Sequence, residues 1–243
     1  MARVLPRWPS FAARAREPER MDSEAIPPEE LAACLADLET VNRLTRAAPP
    51  TLGFLARLTQ GWPEGAELRV VDIGVGQGGM LRAIHRWATA RGLRPRLVGV
   101  DCNPACLAAA RAETPPEMEI NWVEADARAF ATGIEPHAVI TSLFAHHLSD
   151  AELVDFLRWQ EETASHGWFV NDLHRHWFAW GGFWLLSRAA GWHPLVQHDG
   201  PLSVRRAFVR AEWERYLVEA GIGQAEIRWH LPFRLCVERR KVA

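Results

Sequence analysis

The sequence lacks several features that mark whole classes of protein. Its four cysteines include no C-x-x-C pair, which argues against a zinc knuckle, and scattered thiols favour a reducing compartment. No apolar run approaches the roughly 18 residues that span a bilayer. The Arg-rich first twenty residues have no apolar signal segment and predict a solvated arm. A formal net charge of -2 disfavours a nucleic-acid surface. We therefore expect a cytoplasmic protein without a transmembrane segment.

Tyrosine is nearly absent, with one residue, whereas tryptophan occurs twelve times. Five of the tryptophans lie between Trp168 and Trp192, so the bias is local. Apolar content of 48% and charged content of 24% are ordinary for globular proteins. A chain of 243 residues is long enough for one well-buried domain with an insertion.

Residues 70–79, VVDIGVGQGG, place a short apolar run before four glycines, and residues 80–91 continue with apolar residues at helical spacing. This pattern predicts a strand, a glycine turn and a helix. Glycines permit positive φ and let a ligand approach the main chain, while a helix start offers free N–H groups. Gly74, Gly76 and Gly79 also form the G-x-G-x-x-G of nicotinamide and flavin binders. The glycines alone leave two cofactor classes open.

Asp72, two residues before the first glycine, separates these classes. A pyrophosphate at the helix start disfavours a neighbouring acid, whereas S-adenosylmethionine carries a cationic ammonium and a sulfonium. The motif D-x-G-x-G-x-G after an apolar strand resembles motif I of the class I methyltransferases. The resemblance implies S-adenosylmethionine as cofactor, with Gly74 and Gly76 at its methionine end and Asp72 compensating its positive charge.

Two more acids follow the next predicted strands, residues 96–101 and 119–124. A carboxylate at the position of Asp101 can accept hydrogen bonds from both ribose hydroxyls of either cofactor class. Asp126 resembles the methyltransferase acid that accepts from the adenine amino group, with the Ala127 N–H turned to the ring. The resemblance also places Cys102 and Ser142 beside the cofactor.

Four histidines follow the fourth and fifth predicted strands, where ligands bind in open α/β sheets. Residues 142–150, SLFAHHLSD, resemble the segment after strand four of small-molecule methyltransferases, including those related to quinone-ring C-methylation. The candidates for a general base are His146, His147, His174 and His176. An alternative is that one of them only caps a turn. Because no third ligand stands at a fixed spacing, we predict that the site holds no metal.

The aromatic segment 177–186 predicts a helix that is apolar almost all round. Such a helix packs as a cap, lines an apolar pocket or touches a membrane surface. Residues 198–208, HDGPLSVRRAF, resemble a subgroup of bacterial methyltransferases that make small aromatic or polyketide-like products. The residues expected at the acceptor are Phe144, Trp177, Trp180 and Arg206.

The two ends of the chain complete the prediction. Residues 27–47 predict an amphipathic helix ended by Pro49-Pro50, with a second helix near residues 52–58. These helices either form a lid over the cofactor cleft or simply pack on the edge of the sheet. After a helix at 209–220, strands 224–230 and 233–238 are joined by so short a link that they must pair antiparallel. Class I methyltransferases end in this way, unlike the all-parallel nicotinamide-binding domains.

We therefore predict an α/β fold with a Rossmann-like, seven-stranded mixed sheet. Residues 1–60 form an arm and helical lid, and residues 61–243 a methyltransferase domain with a cap insertion at about 173–208. The predicted function is methyl transfer from S-adenosylmethionine to a small apolar or aromatic acceptor in bacterial secondary metabolism, with O-methylation favoured over C-methylation. The alternatives are an NAD(P)-dependent oxidoreductase and a non-catalytic nucleoside-binding protein. Peripheral membrane contact stays open.

Overall fold

The computed structural model describes residues 9–126 and 133–241, which form an α/β architecture around one seven-stranded mixed sheet. The strand order is β3-β2-β1-β4-β5-β7-β6, and β7 runs antiparallel to both of its neighbours. The fold class and the antiparallel final pair are therefore confirmed. The strands are β1 (Glu67–Ile73), β2 (Arg94–Asp101), β3 (Ile120–Glu124), β4 (Ala138–Ser142), β5 (Gly167–Leu173), β6 (Glu226–His230) and β7 (Arg234–Arg240).

Nine α-helices and one short 3₁₀ turn, Ala145–His147, flank this sheet within the described ranges. None of these helices is long and apolar enough to cross a membrane. The helices are α1 (Arg20–Ser23), α2 (Pro28–Leu44), α3 (Ala48–Leu58), α4 (Gly79–Thr89), α5 (Pro104–Ala112), α6 (Asp150–Thr163), α7 (Trp177–Ala189), α8 (Pro194–Arg206) and α9 (Arg210–Glu219).

Local sequence fixes several helix starts. The Asn103 side chain accepts a hydrogen bond from the Ala105 N–H at 2.9 Å and caps α5. At α6, Ser149 and Glu152 form a capping box, in which each side chain accepts from the other residue's backbone N–H. These caps pair N–H groups that have no partner inside the helix.

The prolines at 49 and 50 have a different position from the predicted one. The sequence indicated one helix reaching Ala47 and ended by these prolines, but α2 already ends at Leu44. Pro49 and Pro50 lie in the first turn of α3. Their missing N–H groups cost nothing there, because first-turn N–H groups have no intrahelical partner.

The insertion after β5 contains a second helix, α8, that the sequence did not indicate. Gly200 and Pro201 lie inside α8, where both residues weaken a helix in isolation. Gly200 packs directly on the Phe183 ring, where any Cβ would clash. The Asp199 carboxylate accepts the backbone N–H groups of Arg20 at 3.1 Å and Met21 at 3.0 Å. Tertiary contacts therefore stabilise α8.

Alternate residues of the central strands supply two hydrophobic cores, one on each face of the sheet. On one face, Trp168 and Val170 pack with the buried sides of α6 and α9. On the other, Phe169 stacks on Phe54 of α3 with ring centroids 5.0 Å apart. Because the central strands are buried on both faces, the carboxyl ends of the parallel strands form the polar edge at which ligands bind.

We expect Trp213→Ala in α9 to lower the free energy of unfolding by about 3–5 kcal/mol, because this ring is fully buried against Phe208 and Tyr216. The matched control is Val218→Ala in the same helix, whose side chain is 79% exposed, with an expected loss below about 0.5 kcal/mol. Urea unfolding measures both. Equal losses would contradict the packing of α9 on the sheet.

Candidate active site

Four parallel strands bring the predicted site residues to one edge of the sheet. β1 pairs with β2 on one side and β4 on the other, and β4 pairs with β5. The residues that end these strands or follow them are Asp72, Gly74, Asp101, Ser142, His146 and Asp172.

The glycine turn after β1 has the backbone that only glycine adopts without strain. Gly74, Gly76 and Gly78 have φ values of +69°, +52° and +78°. A Cβ on Gly74 would clash with the Phe144 ring, and one on Gly78 with the Trp122 ring. On Gly76, by contrast, a Cβ would meet nothing within 4 Å. The turn therefore leaves open space for a ligand at Gly76.

Gly79, the first residue of α4, has a different neighbour. The carboxylate of Glu39 in α2 lies directly against it, where a Cβ would clash. The positive end of the helix dipole at the start of α4 thus faces a protein carboxylate.

Two buried acids stand beside the glycine turn. Asp72 is 2% exposed, and its Oδ1 atom has no hydrogen-bond partner among the described residues. Burial, reinforced by the charge of Asp101, raises the pKa of Asp72 well above its ordinary value. Asp101 accepts the N–H groups of Gly76 at 2.8 Å and Asn103 at 2.9 Å. Burial nevertheless raises the pKa of Asp101.

These observations fit a cationic ligand lying along the turn. A buried carboxylate without a partner is costly, and a ligand with a positive charge or N–H donors relieves that cost. The open space at Gly76 lies beside Asp101, which already holds the Gly76 N–H. The ammonium, sulfonium and ribose hydroxyls of S-adenosylmethionine have this chemistry.

The other predicted cofactor residues are less tightly placed. Cys102 is exposed just after β2, and Ser142 is half-buried at the end of β4. Asp126 is exposed two residues beyond β3. Ala127 lies outside the described residues. Their contacts with a cofactor stay predictions.

His146 is the most constrained of the four candidate histidines. It is 2% exposed, its Nδ1 atom lies 2.8 Å from Oδ1 of Asp172, and its backbone N–H donates to Oδ2 at 3.0 Å. Burial raises the pKa of Asp172, but the charge and hydrogen bond of His146 outweigh it, so the pKa is lowered overall. Asp172 is thus an ionised acceptor that pairs with Nδ1 of His146, and Nε2 lies on the opposite side of the ring.

The other three histidines have different surroundings. His147 Nδ1 lies 2.6 Å from Oδ2 of Asp22 in α1. His174 is half-buried, its Nδ1 has no hydrogen-bond partner within residues 9–126 and 133–241, and burial lowers its pKa. His176 caps α7 by accepting the Phe178 N–H at 3.2 Å. Only His146 combines deep burial with a buried carboxylate.

The arm before α2 packs on the turn that holds His146 and His147, although the sequence predicted a solvated arm. Arg14 donates to the carbonyl oxygens of His146 at 3.1 Å, Leu148 at 2.9 Å and Arg206 at 2.8 Å. Its guanidinium carbon lies 4.2 Å from the centroid of the Phe208 ring. These contacts pin the arm from Phe11 to α1 against the turn after β4. The pattern of scattered arginines gave no sign of them.

Glu19, on this arm, was also missed by the sequence. It is 5% exposed, with Oε1 3.5 Å from Nε2 of His146 and 3.0 Å from the Ser203 hydroxyl, which donates to it. Burial raises its pKa to about 7. Glu19 therefore titrates near neutral pH, directly beside Nε2 of His146.

One atom each of Glu19, His146 and His147 lie within 4.8 Å of one another, a spacing that can suit a metal ion. The Arg206 Nε atom lies 3.7 Å from Glu19 and already supplies positive charge there. The absence of a metal stays a prediction.

The four residues predicted to contact the acceptor have different surroundings in the structure. Phe144 packs on Gly74 and so contacts the glycine turn. Trp180 is half-buried, with its ring 6.2 Å from that of Phe11 in the arm. Trp177 is 57% exposed. Arg206 donates to the carbonyl oxygens of Glu17, His146 and His147, so its donors hold the backbone.

Comparison with known proteins agrees with this geometry. Residues 70–163 match the family model described as a methyltransferase domain. No sequence among curated proteins matches the chain. Human N-acetylserotonin methyltransferase in complex with S-adenosylmethionine superposes with a TM-score of 0.61 at 14% identity, over 89% of this chain and 57% of that one.

Two further structures of similar length show the same fold. The plantazolicin methyltransferase bound to S-adenosylhomocysteine has a TM-score of 0.59 at 13% identity, over 87% of this chain and 93% of that one. Magnesium protoporphyrin IX methyltransferase from Synechocystis superposes with a TM-score of 0.53 at 13% identity, over 80% of this chain and 81% of that one. In three other matching chains, the part that aligns with 77% of this chain makes up only 46–47% of their length.

We expect Glu19→Gln to flatten the dependence of stability on pH between about 4.5 and 7. The pKa of Glu19 rises from 4.5 to about 7 on folding, so the folded state takes up a proton in this window. Stability present below pH 4.5 is therefore lost as the pH rises to about 7, by about 3 kcal/mol.

The measurement is the free energy of unfolding in urea at several pH values. Glu24→Gln, an exposed acid on the same arm, is the control and should follow the wild type. Parallel curves for wild type and Glu19→Gln would show that the carboxyl group of Glu19 does not titrate in this window.

Proposed function

We propose that this chain, whose residues 70–163 match a methyltransferase domain and whose fold is that of class I methyltransferases, transfers the methyl group of S-adenosylmethionine to a hydroxyl group of a small apolar or aromatic acceptor. The observation that supports O-methylation is the His146–Asp172 pair at the edge that also holds the glycine turn. A hydroxyl nucleophile needs proton removal, and this pair is arranged for that task.

Different residues bind the cofactor and remove the acceptor proton. When bound, S-adenosylmethionine supplies a methyl group already activated by its sulfonium. Asp72, Gly76 and Asp101 hold the cofactor at the turn. His146 takes the acceptor proton at Nε2, while Asp172 keeps Nδ1 protonated and stabilises the imidazolium that forms. Alignment of the two reactants at this edge contributes the remaining rate enhancement.

Glu19 marks the position of the acceptor hydroxyl. Its Oε1 atom lies 3.5 Å from Nε2 of His146, where a hydroxyl group must stand to give up its proton. The acceptor hydroxyl takes this place when the arm moves aside or when the Glu19 side chain changes its rotamer. Phe144 and Trp180 line the apolar part of the pocket, and the carbonyl oxygens fixed by Arg206 keep His146 in position.

C-methylation of an activated ring uses the same base, so the His146–Asp172 pair is also compatible with a carbon acceptor. A role in bacterial secondary metabolism and a cytoplasmic location belong to this proposal. The structural similarity to the plantazolicin methyltransferase supports the first.

An NAD(P)-dependent oxidoreductase fits less well. Its pyrophosphate occupies the start of the helix after the glycine turn, and here the Glu39 carboxylate lies against Gly79 at that place. Two anions at one helix start repel each other. A non-catalytic nucleoside-binding protein keeps the cofactor site and predicts binding without turnover.

We expect S-adenosylhomocysteine to bind with micromolar affinity and NADPH not to bind, as measured by calorimetry. Asp101→Ala should weaken the binding of S-adenosylhomocysteine at least tenfold, because the carboxylate both holds the Gly76 N–H and faces the ribose site. Asp155→Ala, an exposed acid of α6, is the control. Binding of NADPH alone would refute the methyltransferase proposal.

We expect His146→Gln and Asp172→Asn each to lower kcat/KM about 100-fold or more, with the affinity for S-adenosylhomocysteine unchanged. Transfer of labelled methyl groups to a panel of phenolic acceptors measures the rate. His176→Gln, which alters the cap of α7 and the ring stacking on Phe178 and Phe233 but not the His146–Asp172 pair, should stay within about threefold. Cofactor binding without turnover of any acceptor would favour the non-catalytic alternative, and equal rates in all variants would remove the base role.

A further inference from the structure

The outer face of α7 is unusually apolar for a protein surface. Of the nine large apolar side chains that are exposed in the described parts of the chain, five lie on this helix. They are Trp177 at 57%, Phe178 at 57%, Trp184 at 42%, Leu185 at 64% and Leu186 at 42%. Contiguous exposure of this size marks an interaction site, because water contact with several large apolar groups is unfavourable.

This face continues onto the β6–β7 hairpin. The His176 ring joins the two elements: its centroid lies 6.1 Å from that of Phe178 in α7 and 5.7 Å from that of Phe233 in the hairpin. At the tip of the hairpin, Leu231 is 71% exposed, and Trp229 is 47% exposed. We call the outer side of α7 together with residues 229–233 the α7–hairpin surface.

The surroundings of the α7–hairpin surface carry positive charge. The sequence contains no Asp or Glu between Asp172 and Asp199. Arg188 is exposed near the end of α7, with its guanidinium carbon 4.3 Å from the centroid of the Trp184 ring. At the other end, Leu231 and His230 border a cavity of about 280 Å³ together with Arg46 and Arg57.

Not every cation near this surface is free. Arg57 pairs with the buried carboxylate of Glu238, and Arg175 with Glu212. The acid nearest along the hairpin, Glu226, pairs with Arg228 and Arg240. Arg188 and Arg46 remain as cations for which the structure gives no acidic partner among the described residues, one at each end of the surface.

We propose that the α7–hairpin surface docks on the surface of an anionic lipid bilayer. Tryptophan and phenylalanine rings bury their apolar parts at the boundary of headgroups and acyl chains. Arginine side chains beside them reach lipid phosphates while their stems cover apolar rings. The arrangement of Arg188 on Trp184 has this form.

A second copy of the chain is a poorer occupant. A two-fold interface places the same patch on both subunits, so this surface would meet its own arginines and its own acid-free stretch. No acid of the surface is available to compensate them. The bilayer supplies both the apolar layer and the negative charge. This proposal does not depend on the identity of the methyl acceptor.

Co-sedimentation with vesicles tests the proposal on the full chain. We expect binding to vesicles of mixed phosphatidylglycerol and phosphatidylcholine, weakening as salt is raised, and much weaker binding to phosphatidylcholine alone. Phe178→Ser with Leu185→Ser should weaken binding to the anionic vesicles at least tenfold. Arg188→Ala should weaken it about fivefold.

Val218→Ser is the matched control, because Val218 is 79% exposed on α9, outside the surface. Every variant is compared for its thermal unfolding and its affinity for S-adenosylhomocysteine, both expected to match wild type. Absence of binding to anionic vesicles, or equal weakening by Val218→Ser, would overturn the proposal. So would light scattering that shows a dimer abolished by the double substitution. None of these readouts requires methyl transfer, so a failure of the proposed function leaves this test unaffected.

Discussion

The Asp172 carboxylate holds the candidate site together. It lies one residue before the end of β5, and it accepts both the backbone N–H and the ring Nδ1–H of His146, which belongs to the turn after β4. A buried carboxylate is stable only when its oxygens are well paired, so this turn cannot leave Asp172 without a large cost. The carbonyl oxygen of His146 is thereby fixed, and Arg14 and Arg206 attach to it.

The arm and the insertion after β5 both depend on that fixed turn. Arg14 of the arm and Arg206 of α8 donate to neighbouring carbonyl oxygens, and Asp199 of α8 accepts two N–H groups from α1. Segments far apart in the chain therefore close over one imidazole. Glu19 is brought beside Nε2 of His146 by this closure. The base position and its cover form one polar network, whose parts are stable only together.

Several parts of the molecule were predictable from local patterns. The strand that ends at Asp101 and the antiparallel ending follow from an apolar run and a short link. The glycine turn was predictable because positive φ requires glycine at Gly74 and Gly76. In contrast, α8 was missed because its Gly200 and Pro201 oppose a helix and only the contacts with Phe183 and the arm overcome them.

The sequence by itself determined the individual strands, the glycine turn and the positions of Asp72 and Asp101 near the strand ends, since each depends on residues close in the chain. Four histidines were equal candidates at that level. The tertiary structure decided between their surroundings, because the pairing of His146 with Asp172 and the approach of Glu19 join segments 26 and 127 residues apart along the chain. Such contacts leave no periodic signal, and only the folded chain brings their charges within reach of one another.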